Sequence, residues 1–145
     1  MISPFVDAQR FALVASVLRP AVSELLRASD AEVADKQQFT AAAAVVDWLI
    51  SRAEGSSVVF NKLDERVAAQ MLEQPIPDQS EAEKAQKEML DFPRPPMPAS
   101  FTTFYDLPVT RAALAESEQI LRWSTNTACL AAADRIQDLR AHLDT

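Results

Sequence analysis

A single glycine in a chain of 145 residues is the feature that most limits what this sequence can fold into. Glycine supplies the left-handed positions of tight turns and the close backbone approach of phosphate-binding loops. Alanine, the best helix former, makes up about a sixth of the chain. The sequence therefore predicts an all-α fold and shows no sign of a site built on a glycine-rich loop.

The length fits a single helical domain over 1–145, large enough to bury a core without a disulfide or a metal. Hydrophobic residues make up 48% of the chain and charged residues 24%, as in most globular proteins. Most connections between the predicted helices are short, which favours antiparallel neighbours. We therefore expect an antiparallel helical bundle of about five helices.

The first predicted helix begins at Pro4, with Ser3 as its N-cap. Apolar residues then recur at steps of three and four, which is the spacing of one helix face. They are Phe11, Val14, Leu18, Val22 and Leu25. Because Pro20 lies inside this face and lacks a backbone donor, the sequence predicts a kink or break near Arg19.

The second predicted helix begins after Asp30 as N-cap and ends at Gly55, the one glycine available for a C-cap. Its buried face is predicted to consist of Phe39, Ala42, Val46, Leu49 and Ala53. The alanine tract 41–44 has little side-chain bulk, so we expect another helix to approach closely there. A third helix is predicted over 57–74, where Pro75 ends it.

Two further helices are predicted in the second half of the chain. A short charged helix fits 80–91. The last helix has Asp106 as N-cap and Pro108 as its first residue, and it extends to His142. If continuous it is about 50 Å long. Its weakest stretch is 124–127, because Ser, Thr and Asn side chains compete for backbone hydrogen bonds.

The irregular segment 92–108 contains aromatic residues interleaved with prolines. Prolines reduce the conformational freedom that ordering must remove, and aromatic rings offer large contact areas. We therefore predict that this segment binds a partner through Met97, Phe101, Phe104 and Tyr105. The alternative is a strap that crosses the bundle and whose aromatic rings fill its core.

Two pairs of carboxylates share helix faces, namely Glu32 with Asp35 and Asp134 with Asp138. Helical bundles can hold divalent metals with carboxylates, but diiron bundles also use Glu-x-x-His pairs, which this sequence lacks. Solvated helix faces account for the two pairs. We therefore predict no metal site and no cofactor.

The single histidine, His142, and the single cysteine, Cys129, leave little material for nucleophilic catalysis or a zinc site. Cys129 lies among small apolar residues, where a buried and unreactive thiol is the usual outcome. We therefore predict that the protein has no catalytic residue and is not an enzyme.

The net charge of -7 repels nucleic acid, and no basic patch offsets it. An acidic surface instead steers basic proteins towards it. The mostly apolar run 11–18 is too short for a membrane helix and lacks the flanks of a signal peptide. We therefore expect a cytoplasmic protein that binds another protein and does not bind membranes. A homo-oligomer is compatible with the sequence.

Three functions stay open. The leading one is a bacterial protein-binding module that neutralises a toxin, as immunity proteins do, or escorts an effector as a chaperone. The alanine-rich, lysine-poor composition suits a bacterial genome rich in G and C. The second is a bundle that binds a small molecule or lipid in a pocket lined by Trp48, Trp123 and the aromatic residues of the segment 92–108. The third is a carboxylate-metal hydrolase.

Structural features distinguish these functions. An exposed apolar patch, in the absence of the two features that follow, favours the protein-binding module. A pocket above about 300 Å³ with convergent polar groups favours the ligand-binding bundle. Carboxylates that converge from the regions of Glu32 and Asp134 favour the hydrolase.

Overall fold

A computed structural model describes residues 4–31, 33–71, 94–99, 101 and 106–143. These residues form four helices: α1 (Pro4–Ala31), α2 (Lys36–Met71), α3 (Pro108–Arg122) and α4 (Thr127–Leu143). Helix α1 packs along α2 and α3, and α3 packs against α4. The all-α prediction is confirmed for the described ranges, which contain no strand. Five helices and a strap are not confirmed, and the helix predicted over 80–91 lies outside these ranges.

Side-chain contacts at both ends of α1 define how its neighbours run. Near one end of α1, the Phe11 ring stacks on Phe60 of α2, with ring centroids 5.8 Å apart. Near its other end, the hydroxyl groups of Ser29 and Thr40 are 2.7 Å apart. The start of α1 therefore lies beside the later part of α2, and the two helices are antiparallel.

Helix α1 continues through Pro20, so the predicted break in this helix is wrong. The side chains on either side of the proline along the core face, Leu18, Ala21 and Leu25, are all fully buried. Their burial against the bundle outweighs the single backbone hydrogen bond that a proline removes. Pro20 itself lies on the exposed side of the helix.

Both predicted ends of the second helix are wrong. Asp30 is still part of α1, and α2 begins at Lys36. The carbonyl of Asp35 accepts the backbone hydrogen bond of Phe39 at 3.0 Å, which gives Asp35 the N-cap position. Asp30 instead continues α1, and another aspartate five residues later holds the N-cap position of α2.

Gly55 does not end a helix, and the predicted third helix is the continuation of α2. The buried face of the two predicted helices is continuous across the glycine, since Ala53, Ser56 and Phe60 are all buried at steps of three and four. A glycine inside a helix costs about 1 kcal/mol, which is less than the burial of a single phenylalanine contributes.

The predicted long C-terminal helix is divided at 123–126, within and next to the stretch identified as its weakest. Side-chain oxygens there accept hydrogen bonds from backbone amides that helical carbonyls would otherwise bind, as expected of Ser and Asn. The Ser124 hydroxyl accepts a hydrogen bond from the Asn126 amide at 3.0 Å. The Asn126 side chain accepts one from the Ala128 amide at 2.8 Å and so caps α4.

The start of α3 is capped by another helix. Pro108 is its first residue, as predicted, but Leu107 rather than Asp106 has the N-cap position and makes no side-chain cap. The carboxylate of Glu24 on α1 instead accepts the amides of Val109 and Thr110, at 3.1 and 2.8 Å. A carboxylate at a helix N-terminus is favoured by the helix dipole.

The buried alanines of α2 give a direct test of this packing. Ala42 is fully buried and Ala44 is exposed two residues later. Ala42→Leu should overfill the core and lower the free energy of unfolding by about 1 to 3 kcal/mol. Ala44→Leu is the matched control and should stay within about 0.5 kcal/mol of the wild type. Equal effects in chemical denaturation would contradict the register of α2.

Candidate functional site

A groove of about 450 Å³ lies between the N-terminal part of α1 and the C-terminal part of α3. Its lining residues are Val6, Gln9, Arg10 and Leu13 from α1, and Glu116, Gln119, Ile120 and Trp123 from α3 and the residue after it. Trp123 is 71% exposed and Leu13 is 52% exposed. Large apolar side chains therefore face water along this groove.

Both walls of the groove repeat one spacing. Positions 6, 9, 10 and 13 on α1, and 116, 119, 120 and 123 on the other wall, each follow i, i+3, i+4 and i+7. This is the spacing of one helix face. Each wall is therefore about 10 Å long, or two helical turns.

Arg10 joins the two walls. Its Nη1 donates a hydrogen bond to the carbonyl oxygen of Ile120 at 2.9 Å. Its Nε lies 4.0 Å from Oδ1 of Asp7 on the same helix. The carboxylate offsets the guanidinium charge, so the pair adds no net charge to the groove.

A buried polar cluster lies next to the groove. Asp7 is 3% exposed, and its Oδ1 accepts a hydrogen bond from the Ser124 hydroxyl at 2.7 Å. The thiol of Cys129, in the first turn of α4, donates to the same oxygen at 3.8 Å. We name Asp7, Ser124 and Cys129 the polar latch. Because Ser124 directly follows Trp123, the latch fixes the wall that carries the exposed indole.

Burial, rather than helix position, determines the chemistry of Cys129. The N-terminus of a helix lowers the pKa of a nearby thiol and so favours the thiolate. Burial instead raises the pKa of Cys129 from 9.0 to about 12, and the hydrogen bond with Ser124 lowers this pKa only in part. The Asp7 charge raises the pKa of the thiol and the Arg10 charge lowers it. The thiol is therefore protonated at neutral pH and is a poor nucleophile, and the predicted burial is confirmed.

The structure describes two of the four residues predicted to bind a partner. The Phe101 ring stacks on the buried Phe39 ring, with centroids 4.7 Å apart and an angle of 27° between planes. Met97 and Phe101 are both partly buried against the core. These contacts are the ones that a structural strap would make. Phe104 and Tyr105 lie outside the described residues, and the partner-binding role of all four stays a prediction.

Two of the four carboxylates considered as metal ligands, Asp134 and Asp138, form ion pairs. Asp134 lies 3.0 Å from Arg122, and Asp138 lies 3.0 Å from Arg94. Glu32 lies outside the described residues. Within the described ranges, no group of three or more His, Cys, Asp or Glu side chains is placed to hold a metal ion.

The groove itself was not predicted, although one of its residues was. Trp123 was a candidate pocket residue and lines the groove, whereas Trp48 packs its ring under the Arg52 guanidinium at 5.7 Å. The missed signal on α1 is the pair Val6 and Leu13, seven residues apart and outside the main apolar stripe. Such a pair indicates a second apolar face.

Comparison with other proteins adds no assignment. Searches of protein-family models, of curated proteins and of solved structures each return no match to this chain. None of the described helices has an apolar stretch long enough to cross a membrane. The functional interpretation therefore depends on the groove and the polar latch.

The buried thiol predicts a pH dependence. Well below pH 9 the thiol is protonated in both states, whereas between pH 9.0 and about 12 the unfolded thiol ionises and the buried thiol stays protonated. The thiol's contribution to the free energy of unfolding should therefore decrease between pH 9.0 and about 12. By pH 10.5 we expect a loss of about 2 kcal/mol.

The control for this measurement is Cys129→Ala, which removes the thiol and leaves every other alkaline titration in place. Urea unfolding of both proteins at pH 8 and at pH 10.5 should show a steeper loss for the wild type. Parallel losses in the two proteins would mean that Cys129 is not buried as described.

Proposed function

We propose that this chain is a non-enzymatic bacterial protein-binding module, of the kind that neutralises a toxin or escorts an effector, and that it contacts its partner at the groove between α1 and α3. The observation that carries this proposal is the exposure of Trp123, Leu13 and Val6 along one groove. Monomeric proteins tend not to leave contiguous apolar surface open unless it is used. Tryptophan is also among the residues that contribute most to protein interfaces.

The polar side chains of the groove suit the same role. Gln9, Glu116 and Gln119 stand beside the apolar residues and are exposed. Protein interfaces commonly combine an apolar centre with a polar rim. The arrangement therefore supports recognition of a partner that combines apolar and polar side chains.

The second candidate is a bundle that binds a small molecule. The groove volume of about 450 Å³ lies within the range of ligand pockets. Ligand pockets, however, enclose most of the surface of the ligand. Here the apolar side chains Leu13 and Trp123 are more than half exposed. A surface this open favours a macromolecular partner.

The test is the binding of the partner by a Trp123 variant. The partner is first captured from the native host by affinity purification, and its affinity for the wild type and the variant is then measured. We expect Trp123→Ala to weaken binding about 30-fold, as for the loss of a central interface residue. The melting temperature should stay close to that of the wild type, because an exposed side chain contributes little to the core.

Two further variants serve as controls. Val58→Ala removes an exposed apolar side chain from α2 and should leave binding unchanged. Phe101→Ala tests the predicted partner-binding segment and should lower the melting temperature through the lost stacking on Phe39. Unchanged binding by Trp123→Ala, together with weakened binding by Phe101→Ala at a normal melting temperature, would move the interface to the segment 92–108.

A further inference from the structure

We infer that the occupant of the groove is a short amphipathic α-helix of another protein, with basic side chains beside its apolar stripe. This inference rests on the proposed function, because it specifies the chemistry of the partner at the same groove. It follows from the shape of the groove and from the distribution of charge around it.

The shape favours a helix. Each wall presents two turns of one helix face with the i, i+3, i+4, i+7 spacing, and a helix laid between them meets ridges of its own period. An extended peptide would need a sheet edge to pair with, and the described residues contain no strand. A proline-rich peptide would need an aromatic-lined groove, whereas Trp123 is the sole aromatic residue among the described residues of the lining.

The charge at the groove favours basic side chains. Arg10 is offset by Asp7 and is engaged by the carbonyl of Ile120. Glu116 is exposed on the opposite wall and makes no ion pair within the part of the chain that the structure describes. With the buried Asp7 counted against Arg10, the charge left at the groove is the single negative charge of Glu116, which has the same sign as the net charge of -7 of the whole chain.

The same charge argues against a second copy of this chain as the occupant. Two copies of net charge -7 repel each other, and the repulsion is strongest where acidic side chains of both would approach. A basic helix instead associates faster with the acidic protein and makes a favourable contact with Glu116.

The experiment uses two synthetic helical peptides with one apolar stripe of leucines, flanked by lysines in one peptide and by glutamates in the other. The chain contains two tryptophans, so Trp48→Phe leaves Trp123 as the only indole and its fluorescence reports on the groove. The lysine peptide should shift this emission to the blue, and the shift should saturate as the peptide concentration rises. It should bind at least about tenfold more tightly than the glutamate peptide at low salt.

Charge reversal within the groove separates a specific contact from general attraction. Glu116→Lys should reduce the preference for the lysine peptide several-fold more than Glu65→Lys, which reverses an exposed glutamate on α2. Circular dichroism of both variants should show unchanged folding. Equal losses in the two variants would overturn the inference, because the attraction would then be non-specific.

The remaining outcomes distinguish this inference from the proposed function. Equal binding of both peptides would overturn the basic-helix inference and leave a protein-binding groove. A shift of Trp123 emission that depends on protein concentration alone would assign the groove to a second copy. A shift with decanoic acid, and with neither peptide, would contradict both the inference and the proposed function.

Discussion

The hydrogen bond from Ser124 to the buried carboxylate of Asp7 is the interaction on which the arrangement of α1, α3 and α4 depends. A buried carboxylate is costly unless polar groups satisfy it, and here a hydroxyl, a thiol and a nearby guanidinium surround one oxygen. At the other end of α3, Glu24 of α1 binds the first amides. Two carboxylates of α1, about 25 Å apart along the helix, thus fix both ends of an antiparallel α3.

This attachment explains how an apolar groove can stay open. Val6, Leu13 and Trp123 would bury more apolar surface if the walls closed. The Arg10 hydrogen bond to Ile120 and the polar latch behind Trp123 hold the walls at a fixed separation instead. A preorganised groove loses less conformational entropy when a partner binds. These contacts therefore keep the groove in the open form that the proposed function requires.

The features that depend on local periodicity could be predicted from the sequence. The buried faces of α1 and α2, from Phe11 to Leu25 and from Phe39 to Ala53, follow from apolar spacing, with Val22 alone partly exposed. Helix ends were mostly mispredicted, because burial of Phe60 overrides Gly55 and a carboxylate from another helix replaces Asp106 as the cap of α3. The groove needs α1 and α3, about 110 residues apart in sequence, and no local pattern indicates that pairing.

A double-mutant cycle across the polar latch tests this account most directly. Asp7→Ala, Ser124→Ala and the double variant should be compared by chemical denaturation. We expect Ser124→Ala alone to cost about 1 to 3 kcal/mol, because it removes a donor from a buried carboxylate. The double variant should be more stable than the sum of the single losses predicts, with a coupling of about 1 to 3 kcal/mol. Additive losses, or a Ser124→Ala protein as stable as the wild type, would contradict a latch between α1 and the connection from α3 to α4.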